Sequence, residues 1–150
     1  VNVTSAADMA DVVKSKAAEQ DIIIMTAAVA DFCPSHPADE KIKKNDSSYE
    51  SVIELERTED ILSYLGAHKA NGQLICGFSM ETQNMLENSK AKLAKKNADM
   101  IVANNLKVAG AGFGTDTNVV TLITADDCTE LEIMDKSCVA ARIMDRLLQM

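Results

Sequence analysis

The sequence predicts an α/β fold with a mainly parallel β-sheet, and three observations support this class. Short apolar runs at 22–25 and 100–103 are typical of strands that are buried on both faces of a parallel sheet. Segments with the apolar spacing of helices alternate with these strands along most of the chain. Two strand-like runs then meet at Asp126-Asp127, which indicates an antiparallel hairpin near the C-terminus.

The first predicted helix begins at Ser5. Asp8 lies three residues later, so the two residues form a pattern close to a capping box, with aspartate in place of glutamate. Residues 1–3 are expected to form a short strand before this helix. The apolar stripe of the helix consists of Met9, Val12, Val13 and Ala17.

A strand over 21–28 comes next and ends in small residues. The segment 29–50 contains both prolines and is predicted to be a loop, long enough to act as a functional lid. A short strand over 51–55 follows, and Thr58 is the expected N-cap of the second helix. The apolar residues of that helix, which is expected to end near 70–72, are Ile61, Leu62 and Leu65.

The second half of the chain continues this alternation, and residues 1–150 are expected to form a single domain without internal repeats. The predicted elements are a strand over 73–78, a helix over 83–96 with Leu86 and Leu93 inward, a strand over 100–103, a Gly-bearing loop over 104–117 and strands over 118–124 and 129–134. Asp135 or Ser137 is expected to cap a final helix whose apolar residues are Val139, Ile143, Leu147 and Leu148.

Composition excludes several functional classes. The chain carries a net charge of −8, which argues against a surface for nucleic acid or for an anionic membrane. No apolar run approaches the ~20 residues that a membrane-spanning helix needs. The four cysteines form no CxxC pair and no zinc-like spacing, so we expect free thiols in a reducing cytoplasm, with Cys76 as a small buried residue.

Residues 21–44 hold the strongest candidate site. Ligands bind at the carboxyl ends of strands in open α/β sheets, and Asp31 and three lysines follow the strand predicted here, namely Lys41, Lys43 and Lys44. An acid followed by lysines suits a polyanion bound with a metal ion or through a ribose. Simpler explanations remain open, because Asp31 could cap a turn and the lysines could be a solvated edge.

Two further features could contribute to such a site. Lys92 and Lys96 lie four residues apart and therefore share one helical face, although cations late in a helix also suit its dipole. Phe78 ends a predicted strand, where it could pack in the core or against a base or ribose. The phosphate-binding patterns GxGxxG and GxxxxGKS/T do not occur in the sequence.

Several motifs together resemble the bacterial phosphopantothenate–cysteine ligase family. They are AAVADF at 27–32, EKIKK at 40–44, EDI at 59–61, GFSMET at 77–82, KLAKKNADMIVAN at 92–104 and GFGTDTNVVTLI at 112–123. Their order and spacing match over nearly the whole chain, which makes the set far more specific than any one motif.

The resemblance implies a Rossmann-like, three-layer fold and a CTP-dependent ligase of coenzyme A biosynthesis. In this family the carboxylate of phosphopantothenate attacks the α-phosphate of CTP, which gives an acyl-cytidylate and pyrophosphate. The amine of cysteine then displaces CMP. Mg²⁺ accompanies the triphosphate, the enzyme is a cytoplasmic homodimer, and it is often fused to a flavin-dependent decarboxylase, so FMN would be present only with such a fused domain.

The resemblance also implies roles for individual residues. Asp31 would hold the ribose or the metal ion, and Lys41 would contact the triphosphate from a flexible flap and favour formation of the acyl-cytidylate. The other implied nucleotide-binding residues are Met25, Thr26 and Ala27 through backbone groups, Glu59, Asp60, Ile61 and Leu62 at a helix N-terminus, and Phe78, Lys92 and Lys96.

Two departures from the family pattern affect these expectations. Thr58-Glu59-Asp60-Ile61 stands where the family commonly has Asn-Pro-Asp-Ile, so an extra carboxylate lies near the nucleotide. The family's first Gly-rich βα unit and its Asn-x-Ser-Ser-Gly motif are absent, so we expect the 150 residues alone to be incomplete for catalysis. Two alternatives are a nicotinamide-dinucleotide-dependent oxidoreductase domain, which the missing Gly fingerprint disfavours, and a non-catalytic dimerisation module.

Overall fold

The computed structural model describes residues 1–41, 52–80, 84–105 and 114–150. The helices of this part are α1 Ala6–Ala17, α2 Ile61–Ala67, α3 Met85–Lys96 and α4 Lys136–Leu147. The strands are β1 Ile22–Met25, β2 Phe32–Pro34, β3 Leu55–Arg57, β4 Leu74–Met80, β5 Met100–Asn104, β6 Thr117–Asn118, β7 Val120–Ile123, β8 Cys128–Glu130 and β9 Met134–Asp135. None of these helices is both long enough and apolar enough to cross a membrane.

The central sheet has five strands in the order β1-β4-β5-β7-β8. β1, β4 and β5 are parallel, and β7 and β8 add an antiparallel hairpin to them. Met25 is paired with Gly77, and Met80 with Asn104, so the carboxyl ends of the three parallel strands meet at one edge of the sheet. The predicted α/β class, with a mainly parallel sheet and a C-terminal hairpin, is confirmed.

Helices cover both faces of this sheet, which gives three layers. β5 shows why: Met100 and Val102 pack with α4 on one face, while Ile101 and Ala103 pack with Leu93 of α3 on the other. The four strand residues are fully buried, as expected for a central strand without a polar face. α1 and α2 cover the remaining part of the second face through a separate buried cluster that contains Ala10, Ile61, Leu65 and Ile75.

The capping box predicted for α1 is confirmed. Ser5 Oγ accepts a hydrogen bond from the Asp8 backbone N–H, and the Asp8 carboxylate accepts one from the Ser5 backbone N–H. The hydroxyl of Thr4 donates a further hydrogen bond to Asp8, and this group of bonds lowers the pKa of the Asp8 carboxyl. Residues 1–3 before the helix form no strand, which corrects that prediction.

The N-cap of α2 is Asp60 and not Thr58. Asp60 Oδ1 accepts from the Ser63 N–H at 3.0 Å, while the Thr58 hydroxyl donates instead to the carbonyl of Ala30. The Thr58 N–H also donates to the carbonyl of Asp31 at 3.0 Å. Thr58 therefore ties the chain before α2 to the loop after β1, and the aspartate two residues later takes the capping role.

Several boundaries and orientations differ from the predictions. β1 ends at Met25, because the backbone after it leaves the sheet. β2 forms inside the predicted loop by pairing with β3. β3 itself begins at Leu55 and not at residue 51. α2 ends at Ala67. The two strands predicted over 118–124 and 129–134 are each divided into two. β7 and β8 pair in the central sheet, whereas Thr117–Asn118 pairs with Met134–Asp135 in a separate sheet. Residues 42–50 of the loop predicted over 29–50 lie outside the described ranges.

Two leucines predicted to face the core are exposed. Leu86 in the first turn of α3 is 48% exposed, although its neighbour Met85 packs against the core, and Leu148 directly after α4 is 72% exposed. Leu93 and Leu147 on the same two helices are buried as predicted. Cys76 is fully buried, and burial raises the pKa of its thiol to about 12, so it is a small core residue and not a reactive one. The four cysteines are free thiols.

Candidate functional site

A cleft of about 380 Å³ lies at the carboxyl ends of β1 and β4. This is the edge of the sheet at which parallel α/β folds bind their ligands. Its lining comprises Met25, Ala27, Ala28, Val29, Ala30, Asp31, Arg57, Thr58, Glu59, Asp60, Ile61, Leu62, Phe78, Met80, Lys92 and Lys96.

Alanines form one wall of the cleft, called the low wall because their side chains are short. Ala27, Ala28 and Ala30 follow β1, and all three are exposed where they border the cleft. Behind this wall, Gly77 of β4 allows α2 to approach the sheet, because a Cβ on Gly77 would lie 2.5 Å from a methyl carbon of Leu62. The short side chains of the three alanines leave backbone groups accessible to a ligand. Phe78 packs against the buried core, as one of the two expectations for it required, and it also borders the cleft.

Lys96 is held in place at the junction of α2 and α3. Its ammonium group contacts Asp60 Oδ2 closely and donates to Ser63 Oγ at 2.9 Å, and its side chain is only 12% exposed. Burial opposes ionisation of Asp60, but hydrogen bonds from Lys96 and from the Ser63 backbone outweigh it and lower the pKa of the Asp60 carboxyl. Lys96 therefore joins two helices as well as bordering the cleft.

Glu59 is paired with a residue that does not line the cleft. Lys14 Nζ of α1 donates to Glu59 Oε2 at 2.6 Å, and this hydrogen bond raises the pKa of Lys14. The extra carboxylate that departs from the family pattern is thus neutralised from outside the cleft.

The remaining charged groups of the cleft make no ion pair in the part of the chain that the structure describes. Asp31 is exposed, and its carboxylate is free to meet a ligand. Lys92 lies one turn before Lys96 on the same face of α3. The Arg57 guanidinium lies over the Phe32 ring, 5.2 Å from its centre, which fixes the position of this cation at the cleft.

Most of the residues named from the sequence meet in this one cleft. They are Met25, Ala27, Asp31, Glu59, Asp60, Ile61, Leu62, Phe78, Lys92 and Lys96. Thr26 and Lys41 are exposed and do not belong to its lining. Lys43 and Lys44 lie outside the described residues.

Arg57, Thr58 and Met80 border the cleft without having been predicted to do so. Arg57 directly precedes the segment predicted to reach the nucleotide, so a search for cations beside that segment could have found it. Met80 continues β4 beyond Phe78, and the predicted end of that strand at residue 78 concealed it.

The described residues of the site fit a metal ion that is shared with an anionic ligand. Within the described ranges, no cluster of three or more His, Cys, Asp or Glu side chains could hold a metal ion by itself. Mg²⁺ in nucleotide sites commonly binds one or two carboxylates together with phosphate oxygens. The Asp31 carboxylate, which makes no ion pair with the described residues, fits that role.

Comparison with known proteins adds a family to this geometry. The family model described as the DNA/pantothenate metabolism flavoprotein C-terminal domain matches residues 1–150. The chain is 47% identical over 148 residues to the coenzyme A biosynthesis bifunctional protein CoaBC of Bacillus subtilis, covering 98% of the chain and 36% of that protein. It is 44% identical over 149 residues to a cysteine/cysteine sulfinic acid decarboxylase of an unidentified prokaryote, covering 99% of the chain and 41% of that protein.

The fold has a close counterpart among solved structures. The crystal structure of the C-terminal domain of a coenzyme A biosynthesis bifunctional protein CoaBC superposes with a TM-score of 0.77 at 41% identity, covering 99% of this chain and 66% of that one. The chain thus spans less than half the length of the two curated relatives it matches.

Proposed function

The chain belongs to the DNA/pantothenate metabolism flavoprotein C-terminal domain family, and on that basis we propose that it is the CTP-binding part of a phosphopantothenate–cysteine ligase. The reaction joins 4′-phosphopantothenate to cysteine in coenzyme A biosynthesis. CTP activates the pantothenate carboxylate as an acyl-cytidylate with release of pyrophosphate. The cysteine amine then forms the amide and releases CMP.

The cleft at the ends of β1 and β4 is the observation that supports this proposal. It combines a low wall of alanines, a phenylalanine ring and three cationic side chains, namely Arg57 of β3 and Lys92 and Lys96 of α3. A nucleoside triphosphate needs these features, because its base and ribose need a flat apolar contact and its phosphates need positive charge. Little covalent chemistry falls to the protein in such a reaction, so positioning and charge neutralisation account for most of the catalysis.

Each charged group has a proposed task. Lys92 and Arg57 attract the triphosphate, and Asp31 binds either its Mg²⁺ or its ribose. When bound, Mg²⁺ would neutralise part of the triphosphate charge. Lys96 has Asp60 and Ser63 as partners already, so it fixes the wall formed by α2 and α3 and has one donor left for a phosphate.

Lys41 is the proposed catalytic residue, although it lies outside the cleft lining. The attack of a carboxylate on a phosphate brings two anions together, so a cation that arrives with the substrates would stabilise the transition state more than the ground state. Lys41 belongs to EKIKK at 40–44, one of the motifs that resemble the family, and that resemblance is the reason for assigning it this role.

We also propose that the protein acts as a cytoplasmic homodimer, with a flavin-dependent decarboxylase domain and its FMN where the chain is fused to one. Among the described residues, β2 and β3 pair only with each other, and two-stranded ribbons are marginal on their own. The ribbon exposes Phe32 and Leu55, which are 48% and 59% accessible. These apolar side chains support a second copy as the partner of the ribbon.

Binding measurements on the full-length protein test the proposed ligand. Calorimetric titration should show binding of CTP with Mg²⁺ and no binding of NAD(P) under the same conditions. NAD(P) binding alone would favour the oxidoreductase alternative. A protein that binds neither nucleotide yet dimerises in sedimentation would be a dimerisation module.

Lys41→Gln in the full-length protein tests the catalytic assignment. Pyrophosphate release in a single turnover should slow by more than the affinity for CTP weakens, because the lost charge acts mainly in the transition state. Lys16→Gln, which removes a lysine from the exposed side of α1, is the control. A normal rate of pyrophosphate release would remove Lys41 from the mechanism.

A further inference from the structure

A lysine outside the cleft is joined to an acid inside it. Lys14 Nζ lies 2.6 Å from Glu59 Oε2, 4.0 Å from Asp11 Oδ1 and 5.2 Å from the centre of the Tyr64 ring. The Lys14 side chain is 27% exposed, so these neighbours hold its ammonium group against the surface between α1 and α2. Glu59 lines the cleft, whereas Lys14 does not.

We propose that Lys14 is a positioning residue for the anion site: it binds the Glu59 carboxylate and cancels its charge, which would otherwise oppose a triphosphate. This inference rests on the proposed function, because it concerns the affinity of the same cleft. α1 contributes no lining residue, yet through Lys14 it influences which ligands the cleft binds.

The balance of charge in the cleft supports this role. Three acids and three bases line it: Asp31, Glu59 and Asp60 against Arg57, Lys92 and Lys96. Taken alone, this lining is electrically neutral and gives no preference for an anion. The ammonium group of Lys14 behind Glu59 makes the set positive, because the other acid near it, Asp11, lies farther away at 4.0 Å and is 82% exposed, so water screens its charge. A triphosphate needs such a local positive charge from a chain whose net charge is −8.

The arrangement is fixed by the core beneath it. α1 and α2 share a buried cluster in which Ala10, Ile61 and Leu65 are each at most 5% exposed. Lys14 lies one turn after Ala10, and Glu59 lies two residues before Ile61. The packing of the two helices therefore sets the separation of the two charges, and a fixed compensating charge requires no reorganisation when a ligand binds.

A pair that only braces the fold would behave differently from a pair that balances charge. Removing either partner of a brace weakens the site equally. Under charge compensation the two removals act in opposite directions, because Lys14→Gln exposes a negative charge to the ligand and Glu59→Gln removes one. The sign of the Glu59→Gln effect therefore separates the two roles.

Calorimetric titration of the full-length protein with CTP and Mg²⁺ supplies the test. Lys14→Gln should raise the dissociation constant about 3- to 10-fold at low ionic strength, with the effect shrinking in salt. Glu59→Gln should lower the constant, and the double variant should return it towards that of the wild type. Lys16→Gln removes a lysine two residues further along the same helix, and Lys14→Arg keeps the charge, so both should bind like the wild type.

Two results would overturn the inference. One is a Lys14→Gln variant whose affinity equals that of the wild type. The other is equal weakening in both single variants with no further change in the double variant, which identifies a brace. A wild-type protein that fails to bind CTP would instead refute the proposed function. If Lys14→Gln fails to fold, the direction of the change in Glu59→Gln decides the question alone.

Discussion

Gly66 in α2 should be intolerant of even one methyl group. A Cβ placed there would overlap the carbonyl oxygen of Lys96 and lie 2.9 Å from its carbonyl carbon. Both atoms belong to the backbone, so no side chain can rotate to relieve the contact. α2 and α3 would have to separate until the atoms reach at least 3.4 Å, the near limit of ordinary contact. That separation would also stretch the 2.7 Å hydrogen bond from Asn97 Nδ2 to the Gly66 carbonyl.

The expected loss follows from three opposing contributions. Overpacking usually costs about 1–3 kcal/mol, and an overlap with backbone atoms belongs to the upper half of that range, about 2–3 kcal/mol. Loss of the Asn97 hydrogen bond costs about 1 kcal/mol. Alanine regains about 1 kcal/mol of helix propensity relative to glycine. Gly66→Ala should therefore lower the free energy of unfolding by about 2–3 kcal/mol, a large part of the ~5–15 kcal/mol that a domain possesses.

Hydrogen–deuterium exchange on the full-length protein can measure this loss within the domain. Amides of β4 and β5 should lose protection by about 30- to 150-fold in Gly66→Ala, as 1.4 kcal/mol is a factor of ten. Gly72→Ala is the control, because its φ of 82° strains alanine while nothing lies within 4 Å of the new methyl group. That variant should cost only about 1–2 kcal/mol. Increased protection in Gly66→Ala, as expected for an exposed helical glycine, would refute the close approach of α2 and α3.

Three further predictions concern the cleft. Ala27→Leu should abolish CTP binding in calorimetry, because the larger side chain would fill the low wall, whereas Ala67→Leu on the exposed side of α2 should not. Lys92→Gln should weaken CTP binding by about 1–3 kcal/mol without loss of stability, while Lys96→Gln should lower both affinity and unfolding temperature because it leaves Asp60 and Ser63 without their partner. The pKa of the Asp60 carboxyl is lowered from its ordinary value of 3.8, so its ion pair stabilises the fold fully above pH 3.8. This stabilisation is lost as the pH falls through the lower pKa of the folded state. The difference in unfolding temperature between wild type and Asp60→Asn should therefore disappear on acidification.

Each of these predictions has a contrary outcome. Unchanged CTP affinity in Ala27→Leu would place the nucleotide elsewhere. Equal behaviour of Lys92→Gln and of Lys95→Gln, an exposed lysine outside the cleft lining, would make Lys92 a solvated surface residue. A difference between wild type and Asp60→Asn that persists at pH 2 would mean that capping by the side chain, and not its charge, carries the stabilisation.

The elements that depend on local sequence were predictable. β5 and α4 appear nearly where apolar runs and helical spacing placed them, because burial on both faces or along one stripe leaves a clear pattern. The cap of α2 was not predictable in the same way. Thr58 and Asp60 both suit an N-cap, and the choice between them depends on the loop after β1, whose Ala30 carbonyl takes the Thr58 hydroxyl. That contact joins residues far apart in the chain, so it could not be predicted from the local sequence around Thr58.

The lining of the cleft was largely predictable, whereas its electrostatics were not. Residues at strand ends and on one helical face are brought together by the topology of any parallel α/β sheet, so their positions follow from the fold class. The two ion pairs join residues that are 45 and 36 positions apart, Lys14 with Glu59 and Lys96 with Asp60. Such pairs depend on the rotation of each helix and on its distance from its neighbour, which apolar spacing fixes only approximately.

These pairs explain how an acidic chain can form a site for an anion. Two of the three carboxylates in the cleft are neutralised by lysines, one from within the lining and one from α1, and only Asp31 lacks an ion pair in the described part of the chain. Arg57 and Lys92 are then left to act on a ligand without internal competition. Net charge acts over distances at which salt screens it, beyond about 10 Å at 0.1 M, whereas these cations act at contact distance. We therefore expect the affinity for the proposed triphosphate to depend on which charges are paired at the cleft, with α1 contributing through Lys14 without touching the ligand.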